Sequence, residues 1–293
     1  PNARVDDMNV NGIAASLNFG SFPGFDGGRF HKAPDKAQSL THLRAYNDWH
    51  IDEWCGSHPG RFIPCALLPT WDMKATVEEI ARIAKKGCTA VSINENPTVQ
   101  GLPSIHNAYW EPLWKAITDH DLAICLHIGA GNPAPHASME TPIEAWITTM
   151  PMSISTGAAD WLNLAALHRY PSLKIALSEG GIGWIPYFLE RADFSHERHK
   201  AWTNSPFGQQ TKPSEIFRER VFKPLGMSQS EPAIDFAMRA RMPRSYQPFW
   251  SERPYPRHGE LCEAPQIVST SGAGCIAATA RDMGAYVQMI GNR

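Results

Sequence analysis

Two ionisable side chains stand at the ends of two apolar runs, and their placement is that of a reaction site. Leu122 to Gly129 reads Leu-Ala-Ile-Cys-Leu-His-Ile-Gly and ends in His127. Leu173 to Gly180 reads Leu-Lys-Ile-Ala-Leu-Ser-Glu-Gly and ends in Glu179. Histidine can titrate near neutral pH or ligate a metal, and a carboxylate beside it can move a proton or share the metal. His127 is therefore the candidate metal ligand, weighed against a core histidine bonded to backbone, and Glu179 the candidate catalytic acid or base. For Glu179 the plainer alternative is an ion pair at a helix start, where a carboxylate suits the helix dipole. Asn94 and Glu95 end a third run, Cys88 to Asn96, and could line the same pocket or simply cap helices. His106 and His136 complete the candidate substrate-binding set. His106 lies in the loop after Asn94, where a hydrogen-bonding role outweighs a ligand's, and His136 lies in the long loop after His127. His196 and His199 have the i, i+3 spacing of a helical metal pair, but Glu197, Arg198 and Lys200 around them suggest a solvated helix end.

These residues need strands to carry them. In a parallel strand alternate side chains face opposite sides, so Ala123, Cys125 and His127 share one face, while Ile124, Leu126 and Ile128 meet covering helices. Short strands over Gly12 to Gly20, Arg61 to Pro69, Cys88 to Asn96 and the two runs above alternate with helical spacings. The first of them is followed by a Gly/Pro/Phe-rich loop, Ser21 to Pro34, of the length that often carries function. Helices are predicted from Asp35 to about Trp54, after Asp72 with the stripe Val77, Ile80, Ala81 and Ala84, over Tyr109 to His120, and over Thr156 to Tyr170. A last one carries the stripe Ile182, Ile185, Phe188, Leu189 and Ala192. Repeated strand and helix imply parallel β-α units. No Gly-x-Gly-x-x-Gly follows any strand, which removes the main mark of a dinucleotide-binding sheet. Polar residues gather where barrel enzymes keep their sites, so a (β/α)₈ barrel is the expected fold. From Pro224 to Pro265 the periodicity fades, and Ala278 to Ile290 reads as one helix.

The bulk properties narrow the partners. With 293 residues, 43% hydrophobic and 19% charged, and a net charge of −2, the chain suits a folded domain acting on a small molecule. No basic footprint for nucleic acid or anionic membrane is present, and no apolar run reaches membrane-spanning length. The six cysteines are scattered without Cys-x-x-Cys, as expected of reduced core thiols in a cytoplasmic protein.

Several motifs occur in an order that resembles the amidohydrolase-related family, which includes the aminocarboxymuconate-semialdehyde decarboxylase-like metal-dependent hydrolases. They are Arg44-Ala-Tyr-Asn-Asp-Trp49, Pro59-Gly-Arg-Phe-Ile-Pro64, Gly101-Leu-Pro-Ser-Ile-His106, His127-Ile-Gly129 and Ser178-Glu-Gly-Gly-Ile-Gly-Trp-Ile-Pro186. The likeness covers about residues 4–220. It implies a distorted (β/α)₈ barrel with a divalent metal, usually zinc, held by a His-x-His on the first strand, a histidine on the fifth and an aspartate on the eighth. His127 matches the fifth-strand histidine, and Glu179 stands where many members carry a catalytic histidine. The chain contains no His-x-His and starts where the family's second strand should, and it lacks the late Asp-Tyr-Pro-His segment. An incomplete barrel over residues 1–221 is therefore expected, with an irregular extension over 222–293. Phe217 to Met227 and Gly272 to Met289 resemble a fragment of a serine β-lactamase or esterase-type hydrolase, although no Ser-x-x-Lys exists anywhere in the chain.

The family implies a metal-dependent hydrolase of a small carboxylated or cyclic substrate. Decarboxylation on the same scaffold is the alternative, and a truncated barrel without metal is the non-catalytic one. Open sheet edges in such a barrel would invite a partner, including a second copy in a homo-oligomer.

Overall fold

The computed structural model describes residues 1–203, 205, 208, 211–228 and 230, together with the backbone of 246–248 and 261–263. The chain divides into two compact units, Pro1–Gly181 and Ile182–Arg293.

The first unit is built on parallel strands. β1 (Ser16–Leu17) pairs with β2 (Phe62–Ile63), and β3 (Cys65–Leu67), β4 (Ala90–Ile93), β5 (Ala123–His127) and β6 (Lys174–Ser178) follow in that spatial order. β2 and β3 are separated only by Pro64, which has no N–H to give to a ladder. Every pairing in this unit is parallel, and among the described residues the strands form no closed barrel. The fold is therefore an α/β fold of incomplete (β/α)₈ type. β5 is central and buried from Ile124 to His127, as its apolar run predicts. β6 is less buried than its sequence suggests: Ala176 and Leu177 are exposed, because among the described residues this strand ends the sheet order and has one neighbour.

The helices around the sheet follow local signals. α1 (Asn2–Val10) buries Val5 and Met8. α2 (Gly28–Lys32) starts within the long loop after β1, and α3 (Lys36–Asp48) starts where the Asp35 side chain accepts from Gln38 N. α3 continues as a wider turn of helix over Trp49–Cys55, which buries His50 and Ile51. α4 (Met73–Lys85) is capped by Asp72, whose carboxylate accepts from Ala75 N, and it ends before Gly87 at φ +85°. Its buried face is Thr76, Glu79, Ile80 and Ile83, displaced from the predicted stripe of Val77, Ile80, Ala81 and Ala84. The cause is Glu79, which is buried with partners and so draws the contact face toward itself. α5 (Glu111–Asp119) buries Leu113, Trp114 and Ile117. Beyond β5 come α6 (Ile143–Thr149), α7 (Pro151–Leu162) and α8 (Ala166–Arg169). The single helix predicted over 156–170 is thus two helices, interrupted after Leu162. Trp114 bridges the core between α5 and α7, its ring 6.2 Å from Trp110 and 5.6 Å from Trp161. Cys55, Cys65, Cys88 and Cys125 are buried free thiols.

In the second unit α9 (Ile185–His199) buries Pro186, Leu189 and His196, while Ile182 from the predicted stripe is half exposed. His196 is buried and His199 lies edge-on to Trp202, so this helix end is not the wholly solvated surface its charges suggest. α10 (Pro213–Phe217) is tied to α9 by Ser214, whose N–H and hydroxyl both donate to Asp193. β7 (Tyr246–Pro248) and β8 (Leu261–Glu263) pair antiparallel. The expected division at residues 221 and 222 falls within this unit. The stretch Gly272 to Met289, expected to resemble a β-lactamase fragment, and the predicted helix from Ala278 lie outside the described residues.

Candidate functional site

Parallel pairing of β5 with β6 sets His127 opposite Ser178, so the next residue, Glu179, arrives beside the imidazole. His127 Nε2 lies 3.4 Å from Glu179 Oε2. The two differ sharply in setting: the His127 side chain is 4% exposed and that of Glu179 68%. Glu179 has φ +66°, a left-handed conformation that a non-glycine residue rarely adopts, and Gly181 two residues on has φ +62°. This reversal of the chain turns the carboxylate back over the strand end.

The histidine tautomer follows from its other nitrogen. Nδ1 is 2.7 Å from the Ile128 carbonyl oxygen, which can only accept, so Nδ1 carries the proton. Nε2 is then the ring nitrogen that faces the Glu179 side. Two aromatic rings flank the imidazole: Phe25 stacks on it at 3.7 Å with planes 25° apart, and Phe19 meets it edge-on at 4.7 Å.

Phe25 is held there by the loop after β1. Ser92 Oγ donates to the Phe25 carbonyl at 2.6 Å. Asp26 accepts from Asn94 Nδ2 at 2.7 Å, from Gln100 Nε2 at 2.6 Å and from Gly28 N at 3.0 Å. Gly24 and Gly27, at φ +85° and +76°, let the loop turn tightly on both sides of this pair. Phe19, Phe25 and Asp26 were not among the sequence candidates. The one local signal for Phe25 and Asp26 is the run Gly24-Phe-Asp-Gly-Gly28, in which Asp26 makes a turn with its own loop.

The other candidates are placed elsewhere. Asn94 is buried, donates from Nδ2 to Asp26 and to the Ala130 carbonyl, and accepts from Asn96 N. Glu95 is buried, and its Oε1 accepts from Gly131 N at 2.9 Å and Asn132 N at 2.7 Å. Burial pushes its pKa up against the pull of these N–H groups. Both residues therefore hold the loop that leaves His127. His106 pairs with Asp160 at 2.8 Å, and His136 stacks on Trp146 at 3.6 Å; neither of these contacts involves the His127–Glu179 pair.

As a metal centre the pair is incomplete. A catalytic zinc site takes three protein ligands and a water. Among the described residues no group of three His, Cys, Asp or Glu side chains is placed to hold an ion. His127 and Glu179 alone do not fit the metal that the sequence resemblance implies. What the geometry can do unaided is hold a proton between a shielded imidazole and an exposed carboxylate beneath an aromatic wall.

The structure is similar to those of known proteins. The 5-carboxyvanillate decarboxylase of Sphingomonas paucimobilis is 23% identical, with 74% of this chain and 62% of that one aligned and a TM-score of 0.57. A dihydroxybenzoic acid decarboxylase from a Polaromonas species, with bound manganese and the inhibitor 2-nitroresorcinol, is 22% identical, with 74% and 64% covered and a TM-score of 0.53. At this identity the likeness is one of fold. The chain spans about three fifths of the length of each of these relatives. A stretch of 127 residues is 28% identical to a glycerol-3-phosphate acyltransferase of Desulforudis audaxviator, 40% of this chain against 57% of that protein. The amidohydrolase family model matches residues 14–219, and with most of its length so matched, the chain belongs to the amidohydrolase family.

Proposed function

We propose that this chain carries the strand-end half of a decarboxylase acting on a small cyclic carboxylate, in preference to the hydrolase that the family first suggests. The observation that carries this reading is the His127–Glu179 pair, with Phe25 and Phe19 packed around the imidazole. The likeness of fold to two decarboxylases whose names specify aromatic acids supports it.

Loss of CO₂ from an aromatic acid exchanges a C–C bond for a C–H bond. The ring carbon bearing the carboxylate takes a proton using ring π electrons. The C–C bond then breaks, CO₂ leaves, and the electron pair of that bond restores the ring. In the proposed site Glu179 delivers the proton, because its carboxyl is exposed and lies 3.4 Å from His127 Nε2. Burial against two phenyl rings and the Nδ1–H bond to Ile128 fix the imidazole, so the proton has a defined place before transfer. A divalent cation at His127, manganese as in the Polaromonas relative or zinc, would need donors from outside the described residues.

The test is release of labelled CO₂ from ring-hydroxylated benzoates carrying ¹³C in the carboxyl group, with manganese or zinc supplied. Glu179→Gln should lower turnover by about 10²-fold or more, the range for losing a general acid. Metal content measured on the chain and on His127→Ala distinguishes a working centre from a scaffold. No CO₂ from any such acid, with no metal retained by the unaltered chain, would refute the decarboxylase reading and leave the non-catalytic one.

A further inference from the structure

The sheet face that carries His127 has a second polar residue beside it. Register sets His127 of β5 level with Ser178 of β6, and residues level on neighbouring parallel strands project from the same face about 4.8 Å apart. The same alternation puts Ala176 on this face next to Cys125, and Ser92 of β4 on the other side of Cys125. Cys125 and His127 are buried, whereas Ala176 is exposed and Ser178 half-buried. The face is therefore closed over β5 and open along β6, at the strand whose end leads into the exposed Glu179.

An acid that enters there needs a hydrogen-bond donor, and the other nitrogen and oxygen donors on this face are committed. Ser92 Oγ donates to the Phe25 carbonyl. Asn94 Nδ2 donates to Asp26 and to the Ala130 carbonyl, which uses both of its N–H groups. The His127 Nδ1 proton goes to the Ile128 carbonyl. At Ser178 the backbone carbonyl accepts from Ile128 N at 3.3 Å, but the side-chain hydroxyl has no partner among the described residues. No bond within the fold requires that hydroxyl, and it stands one strand away from the imidazole.

We infer that Ser178 is the substrate-anchoring residue of this site, its hydroxyl donating to the carboxylate of the cyclic acid that receives its proton from Glu179. The inference rests on the decarboxylase reading above for the class of acid. A neutral hydroxyl suits that reaction. Loss of CO₂ takes negative charge away from the carboxylate, so a cation fixed there would stabilise the bound acid more than its transition state. One bond from a serine orients the carboxylate without that opposing effect.

The experiment is NMR titration of the full chain with 2-hydroxybenzoate, followed at the His127 imidazole signals so that binding at this site is what is counted. The control is 2-hydroxybenzyl alcohol, which keeps the ring and its hydroxyl but has no carboxylate. Ser178→Ala should weaken 2-hydroxybenzoate by about tenfold, the range for one hydrogen bond to a charged acceptor, and change the alcohol by less than about twofold. Ser178→Thr should keep the affinity and the isosteric Ser178→Val lose it, so the result does not hang on the folding of one variant. Binding that depends on Ser178, without CO₂ release from any acid, would support the anchor and refute the decarboxylase reading. CO₂ release with acid binding unaffected by Ser178→Ala would do the reverse. No response at His127 to the acid, or an equal loss of acid and alcohol in Ser178→Ala, would also overturn the inference.

Discussion

Replacing Glu79 by alanine should uncouple α3 from α4 and cost the first unit about 3 kcal/mol at pH 7. The Glu79 carboxylate is 0% exposed, and it accepts from Arg82 Nη2 at 2.8 Å, Arg82 Nε at 2.8 Å, Arg44 Nε at 3.2 Å and Asn47 Nδ2 at 2.7 Å. Asn47 in turn donates to the Leu67 carbonyl and accepts from Leu67 N, so the network reaches β3. Removing one partner of a buried charge pair costs about 3–5 kcal/mol. The arginines here are 29% and 36% exposed, and solvent screening places this case at the lower end. The same group gives a pH signature. Burial raises the Glu79 pKa, but the bonds from Arg82 and Asn47 and the arginine charges outweigh it, so the folded value is depressed. Its stabilisation is therefore complete above the unfolded value of about 4.3 and is lost as pH falls through the folded value. Urea unfolding followed by tryptophan fluorescence and circular dichroism, at neutral pH and at successively lower pH, measures both effects. A loss below about 1 kcal/mol at pH 7, or an acid slope identical in Glu79→Ala and the unaltered chain, would refute this account.

Other substitutions probe the site and its supports. Gly180→Ala should destabilise the chain by about 1–3 kcal/mol, because the added methyl collides with Ile154 Cγ2; equal unfolding midpoints would contradict this. Asp26→Ala should free the loop that holds Phe25 and, on the proposed function, lower turnover without unfolding the sheet. Unchanged ring-current shifts on His127 by NMR would show that Phe25 had not moved. Burial pushes the Cys55 thiol up to about 12 and the Cys88 thiol upward, while Cys65 is raised by its Cys125 neighbour and by burial. Alkylation mapped by peptide mass should therefore spare Cys55, Cys65 and Cys88 in the native chain near pH 8 and reach them only on unfolding. His50 is held below its ordinary value by burial, and its Nε2 accepts from Cys65 N. Stability should consequently decline as pH falls below about 6.5, the unfolded value, and His50→Gln should remove that part of the slope.

The sequence by itself determined what depends on near neighbours. The apolar run ending in His127 is a strand because alternate residues find a sheet face and a helix face. The Asp72 cap and the Gly87 stop bound α4, and the alternation of such pieces is enough to imply parallel β-α units. The pairing of His127 with Glu179 was also foreseeable, since each ends a strand and parallel strands end on the same side. The tertiary structure decided what surrounds them. Asp26 reaches Asn94 across 68 positions and Gln100 across 74, and no periodicity reports so distant a bond. Glu79 lies off the predicted stripe of α4, and it is Arg44 and Asn47 from α3 that accompany its charge into the core. β6 carries an apolar run like that of β5 but is partly exposed, because burial of a strand depends on how many neighbours the sheet order provides. Local pattern specifies which segments fold into strands and helices; only packing brings Phe25 onto His127 and leaves one oxygen of Glu95 without a donor.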